Sequence, residues 1–191
     1  MDSLTVFREV ISLNELGGDL SHCYRFSDPD GVRSGKSGWS FGLCQFDVAN
    51  NPSAVLCLRE CQFTTDEILG LKRQDVDIVP LNRKLACNTR TVDRWDDRQL
   101  FECLTHASEV CRSSGIRFAS DEVLFHLADY HNQFYLSRGG KMHQFLLGVG
   151  RPVGVKDILS FKLGLVWGKK RPDDVHRRFS NVRNVWVENF A

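Results

Sequence analysis

Charge of one sign is what this sequence most plainly lacks: 25 lysines and arginines stand against 24 aspartates and glutamates, a formal net charge of +1. No global field points to nucleic acid or to a membrane surface, so any partner must be argued from a local feature. The seven cysteines, at 23, 44, 57, 61, 87, 103 and 111, are odd in number and form no Cys-x-x-Cys pair. That spacing argues against a zinc ribbon and against a complete disulfide framework, and fits folding in a reducing cytoplasm. No apolar run is long enough to span a bilayer, and no basic segment leads into an apolar one at the start of the chain. Neither a signal peptide nor a membrane span is therefore expected, and action outside the cytoplasm would need export by another system. Internal repeats and low-complexity segments are also missing.

What is present is a chain of 191 residues, enough for one compact domain with a sizeable core. Leu4, Phe7 and Ile11 recur at three- and four-residue steps, which predicts one buried face of a helix over about 3–16. Glu15 falls on the same stripe four residues after Ile11, where Gly17-Gly18 stops the helix; Glu9 points the other way. Residues 24–47 change character, rich in Gly, Ser and Asp, and read as a loop with a short hairpin. Asp28-Pro29-Asp30-Gly31 is a turn, Gly35 to Gly38 a second flexible stretch, and Trp39-Ser40-Phe41 a strand. Asn51-Pro52 opens a helix to about Cys61, with Asn as cap and Pro at the first helical position. Thr64-Thr65-Asp66-Glu67 is a capping box. Further helices are expected near 79–87, 93–113, 121–136, 140–147, 155–168 and 172–187, with Ser120 capping one and Gly115 ending another. The fold class is α+β and predominantly helical: a loop and hairpin lobe at 17–50 packed on a helical body at 51–191.

A helix ending in Glu15, a Gly-rich segment and then Ser40-Phe41-Gly42-Leu43-Cys44-Gln45 resembles the lysozyme-like superfamily, whose lytic transglycosylases place a Gly-Leu-Met-Gln-type motif after a catalytic Glu. Here Cys44 stands in the place of Met, and Leu16 rather than Ser follows the Glu. Phage endolysins and secreted antibacterial effectors with muramidase domains are the members it is most similar to. The resemblance implies a lysozyme-like single domain over 1–191 and a peptidoglycan glycosidase, with neither cofactor nor metal. It also implies action on the bacterial cell wall after delivery by another system, with an immunity or delivery protein as a further partner.

In that chemistry one carboxylic acid protonates the leaving oxygen while positive charge develops on the sugar ring. Glu15 is the candidate acid, because a carboxyl half-sunk among apolar groups holds its proton to higher pH. Asp28, Asp30 and Asp47 are candidates for a partner carboxylate, with the substrate's own acetamido or hydroxyl group as the alternative. A sugar site also uses flat apolar faces beside hydrogen-bonding side chains. Tyr24, Trp39, Ser40 and Gln45 are expected on one wall, and Tyr130, Asn132 and Gln133, from Asp129-Tyr130-His131-Asn132-Gln133-Phe134, on the other.

Two other classes fit the same residues. One is a cysteine-dependent amidase or peptidase, with Cys44 as nucleophile and His22 or His131 as base. The other is a non-catalytic cell-wall-binding module. His126 and His131 are five apart, the wrong step for a metal site on one helix face. Lys169-Lys170-Arg171 with Arg177-Arg178 reads as a basic end that solvates a helix terminus or meets anionic wall polymers.

Overall fold

A computed structural model describes residues 2–29, 31 and 36–190. Asp30 and Gly35 of the expected turns lie outside the described residues. The described chain is predominantly helical. In order it runs α1 (Ser3–Leu16), a 3₁₀ turn (Leu20–Tyr24), β1 (Ser40–Phe41), β2 (Phe46–Asp47), α2 (Pro52–Glu60), α3 (Thr65–Arg73) and α4 (Ile78–Ala86). It continues with α5 (Thr89–Ser113), α6 (Glu122–Phe134), α7 (Lys141–Gly148), α8 (Val155–Gly164), α9 (Val166–Lys170) and α10 (Pro172–Phe190).

By their internal packing the residues divide into two compact units, Met1–Asn14 with Leu100–Ala191, and Glu15–Gln99. The second contains the hairpin and three whole helices. There β1 and β2 pair antiparallel, Ser40 opposite Asp47 and Phe41 opposite Phe46. Phe26 packs edge-on against both Phe41 and Phe63, with ring centroids 5.6 and 5.9 Å away. Local signals place the helices around this apolar cluster. Asn51 caps α2 through Ser53 N–H at 2.9 Å with Pro52 at its start, and the Thr64–Glu67 capping box opens α3. Lys84 of α4 then pairs with Glu67 at 2.7 Å.

The first unit has a core of apolar residues from α5, α6, α7 and α8, among them Val110, Leu127, Met142 and Ile158. Phe7 of α1 meets Phe125 of α6 at 5.9 Å. Of the expected α1 stripe Phe7 and Ile11 are buried and Leu4 and Glu15 only half-buried, because the buried face is turned toward Val6, Val10 and Asn14; Glu9 is exposed. A charged cluster lies inside this unit: Lys162 donates to Asp129 at 2.9 Å, Arg178 donates to the other carboxylate oxygen, and Asn14 Nδ2 adds a third bond at 2.9 Å. Burial alone would push the Asp129 carboxyl up, but the Arg178 and Lys162 charges outweigh it and hold the group well below the ordinary carboxylate range.

Three expectations are corrected here. Ser120 does not cap α6 with its side chain; the helix begins after Asp121, which makes no side-chain cap, and only the Ser120 carbonyl accepts from Val123 N–H at 3.2 Å. The helix expected over 155–168 is broken at Leu165, whose extended backbone (φ −66°, ψ 153°) separates α8 from α9. Arg178 does not solvate a helix end but is buried against Asp129, and Arg177 donates to the Leu13 and Asn14 carbonyls and to Asp174. None of the described helices is long and apolar enough to cross a membrane.

Candidate functional site

The hairpin turn is built on unusual backbone. Gly42 has φ +77° and Gln45 φ +51°, left-handed values that cost a side-chain-bearing residue like Gln45 free energy unless its surroundings hold it. Asp96, fully buried on α5, supplies that hold: its carboxylate oxygens accept from Leu43 N–H and Cys44 N–H, both at 2.9 Å. Two buried N–H groups that the turn leaves unpaired are thereby satisfied by one charged acceptor. Gly42 N–H in turn donates to Cys23 O at 2.8 Å, tying the turn to the 3₁₀ segment.

Gln45 is fixed at both ends of its amide. Nε2 donates to Gly42 O at 2.8 Å, and Oε1 accepts from the Ser27 hydroxyl at 2.8 Å. Each end keeps one further hydrogen-bonding capacity, a second N–H and a second lone pair. The amide fronts a cleft of about 440 Å³ lined by Glu15, Leu16, His22, Arg25, Phe26, Ser27, Gln45 and Asn82. The lining mixes one carboxylate, two basic groups, two amides and a hydroxyl.

Glu15 and Gln45, expected from sequence as acid and ligand contact, thus line one cleft. Glu15 is half-buried in the last turn of α1, one step round from the buried Asn14. The other expected residues stand elsewhere. Asp28 accepts from Gly31 N–H and Gln74 Nε2, both at 3.1 Å. Asp47 accepts from Gly38 N–H and Ala49 N–H at 2.8 Å and from the Asn50 side chain at 2.7 Å. Partial burial opposes ionisation of Asp47, but these donors prevail and its carboxyl stays below its ordinary range. Both carboxylates organise their own turns and are outside the cleft lining. Tyr24 donates its hydroxyl to Asp93 at 2.9 Å, Ser40 is buried in β1, and Trp39 is half-buried with its indole N–H enclosed and without a partner among the described residues.

Tyr130, Asn132 and Gln133 belong to α6 of the other unit. There Tyr130 is buried, its ring 5.3 Å from Phe134 and 6.0 Å from Phe161, and the Gln133 side-chain oxygen is enclosed without a partner among the described residues. Cys44 is buried and its thiol points to Asp96 O at 3.8 Å. Among the described residues no group of three or more His, Cys, Asp or Glu side chains is placed to hold a metal ion.

Arg25, Ser27, Asn82 and Asp96 were not singled out by sequence reasoning. Arg25 and Ser27 sit just beyond the 3₁₀ turn, and Asn82, on α4, accepts from Phe26 N–H at 2.8 Å. No local pattern marks Asn82 or Asp96, since each acts through a partner far along the chain. Comparison with known protein families, curated proteins and solved structures returned no match.

Proposed function

We propose that this chain is a lysozyme-like glycosidase that cleaves the peptidoglycan backbone, with Glu15 as general acid. The observation that carries the reading is that Glu15 shares its cleft with the rigidly held Gln45 amide, the two residues on which the lysozyme-like resemblance rests. Ser27 and Asn82 add hydrogen-bonding groups to the cleft. Glu15 protonates the glycosidic oxygen as the bond to the anomeric carbon breaks, and oxocarbenium character grows on the ring. Among the described residues that line the cleft, Glu15 is the one carboxylate. With Asp28 and Asp47 committed to their turns, the substrate's own acetamido or hydroxyl group is the fitting partner for that charge.

The test is muropeptide analysis by mass spectrometry after digestion of purified peptidoglycan by wild type and Glu15→Gln. Wild type is expected to release sugar fragments, and the variant to release them roughly 10²- to 10⁴-fold more slowly, the usual worth of a general acid. Reducing ends mark a hydrolase and anhydro ends a transglycosylase. Peptide fragments alone, or equal release by both proteins, would sink the assignment.

A further inference from the structure

The basic residues near the C-terminus form a second feature, which does not rest on the Glu15 reading. The one-and-a-half-turn helix α9 is pressed against the end of α8 through Gly168, where an added Cβ would stand only 1.9 Å from Lys162 O. At 100° per residue, Val166 and Lys170 fall opposite Gly168 and Lys169 beside them, so the packed side fixes which side faces outward. Val166 is accordingly 75% exposed, and Lys169, Lys170 and Arg171 are all exposed. No ion pair among the described residues engages any of these three cations, while Asp174, close behind them, is taken by Arg177. Exposed Asp173 is the other acid beside them in the chain. Half-buried Trp167 meets the partly exposed Phe134 edge-on at 5.5 Å, which extends the apolar side of the patch from α9 to the end of α6.

An apolar tip flanked by unpaired cations is the arrangement that seats a protein on an anionic bilayer, aliphatic and aromatic groups entering the headgroup boundary while Lys and Arg meet the phosphates. We infer that α9, with Phe134 beside it, is a docking surface for anionic phospholipid membrane. A soluble polyanion would use the cations and leave Val166 without a role; a bilayer uses both. The binding is peripheral and salt-sensitive, because three surface cations and a small apolar tip fall far short of an inserted helix.

The full chain is to be sedimented with sucrose-loaded vesicles of phosphatidylcholine, and with vesicles of equimolar phosphatidylcholine and phosphatidylglycerol. It should partition onto the second kind and be released by salt. The triple variant Lys169→Gln, Lys170→Gln, Arg171→Gln should partition on the order of a hundredfold less, each cation being worth roughly fivefold near an anionic surface. Val166→Ser, with every charge kept, should lose several-fold, a change that charge alone does not produce. All four positions are exposed, so thermal melting should match wild type. Equal uptake by both kinds of vesicle, no uptake by either, or unchanged uptake of the triple variant overturns the assignment. Retention on dextran sulfate with no vesicle uptake would assign the cluster to a polyanion instead and overturn it too.

Discussion

Ser27 holds Gln45: its hydroxyl donates to the Gln45 carbonyl oxygen at 2.8 Å, so the amide is presented to the cleft in one orientation. Ser27→Ala should free that end of the amide while leaving the Gly42 contact in place. One neutral hydrogen bond is worth about 1 kcal/mol, so KM for glycan should rise roughly fivefold with kcat little changed. Steady-state kinetics of fragment release checks this. A fall in kcat at constant KM would instead place the Ser27 hydroxyl in the chemical step.

Gly42 admits no side chain. Its φ is +77°, and an added Cβ would stand 2.9 Å from Asp96 Oδ1 and 3.0 Å from the Phe46 ring. The Asp96 carboxylate is anchored by two N–H groups, so moving it aside strains both bonds. Gly42→Ala should therefore cost on the order of 2–4 kcal/mol, from left-handed backbone and overpacking together. A urea unfolding midpoint equal to wild type would contradict it.

Stability should fall as the solution is acidified, in two stages. Burial, with the nearby His106, lowers the His131 imidazole from 6.5 to about 4 in the folded chain, and its Nδ1 accepts from Leu136 N–H. Between those values the unfolded state binds a proton that the folded state refuses. Folding is thus weakened progressively below pH 6.5, and the loss from this group is complete below about pH 4. Burial lowers His126 as well, in the same sense. Asp129 takes over at lower pH: its depressed value means that its contribution, full above the ordinary carboxylate range, drains away as pH falls below 3.8. Urea midpoints measured from pH 7 to pH 3 should show this decline, and His131→Gln should flatten its upper part.

Thiol accessibility discriminates the cysteine mechanism. Cys87 is exposed and the other six cysteines are buried, Cys44 among them. Native alkylation should add one group per chain by mass spectrometry, and peptidoglycan cleavage should survive it. Rapid labelling of Cys44 with loss of activity would favour the thiol reading.

What sequence reading reached is what neighbours along the chain determine. The α1 helix, the Asn51-Pro52 start, the Thr64–Glu67 box and the hairpin strand at Ser40-Phe41 depend on residues within a few positions and appear where local signals put them, although the face that α1 buries is turned from Leu4 and Glu15 toward Val6, Val10 and Asn14. Glu15 and Gln45 were named together because a motif joined them, and both line one cleft. The missed parts depend on distant partners. Arg178 looks like a surface cation until Asp129 is seen beside it. Asp96 looks like one more charge on α5 until the unpaired amides of the hairpin meet it. The break at Leu165 has no proline to announce it, and the close seat of Gly168 against Lys162 becomes visible only in three dimensions.

The Asp96 contact also sets an order in time. Leu43 and Cys44 leave the ribosome some fifty residues before the carboxylate that their amides need. Until α5 begins to emerge, the hairpin must keep those amides in water, and the cleft wall carrying Gln45 stays unfinished. The segment behind Glu15 therefore cannot mature piecemeal during synthesis; its hairpin is completed only when the start of α5 arrives to close it.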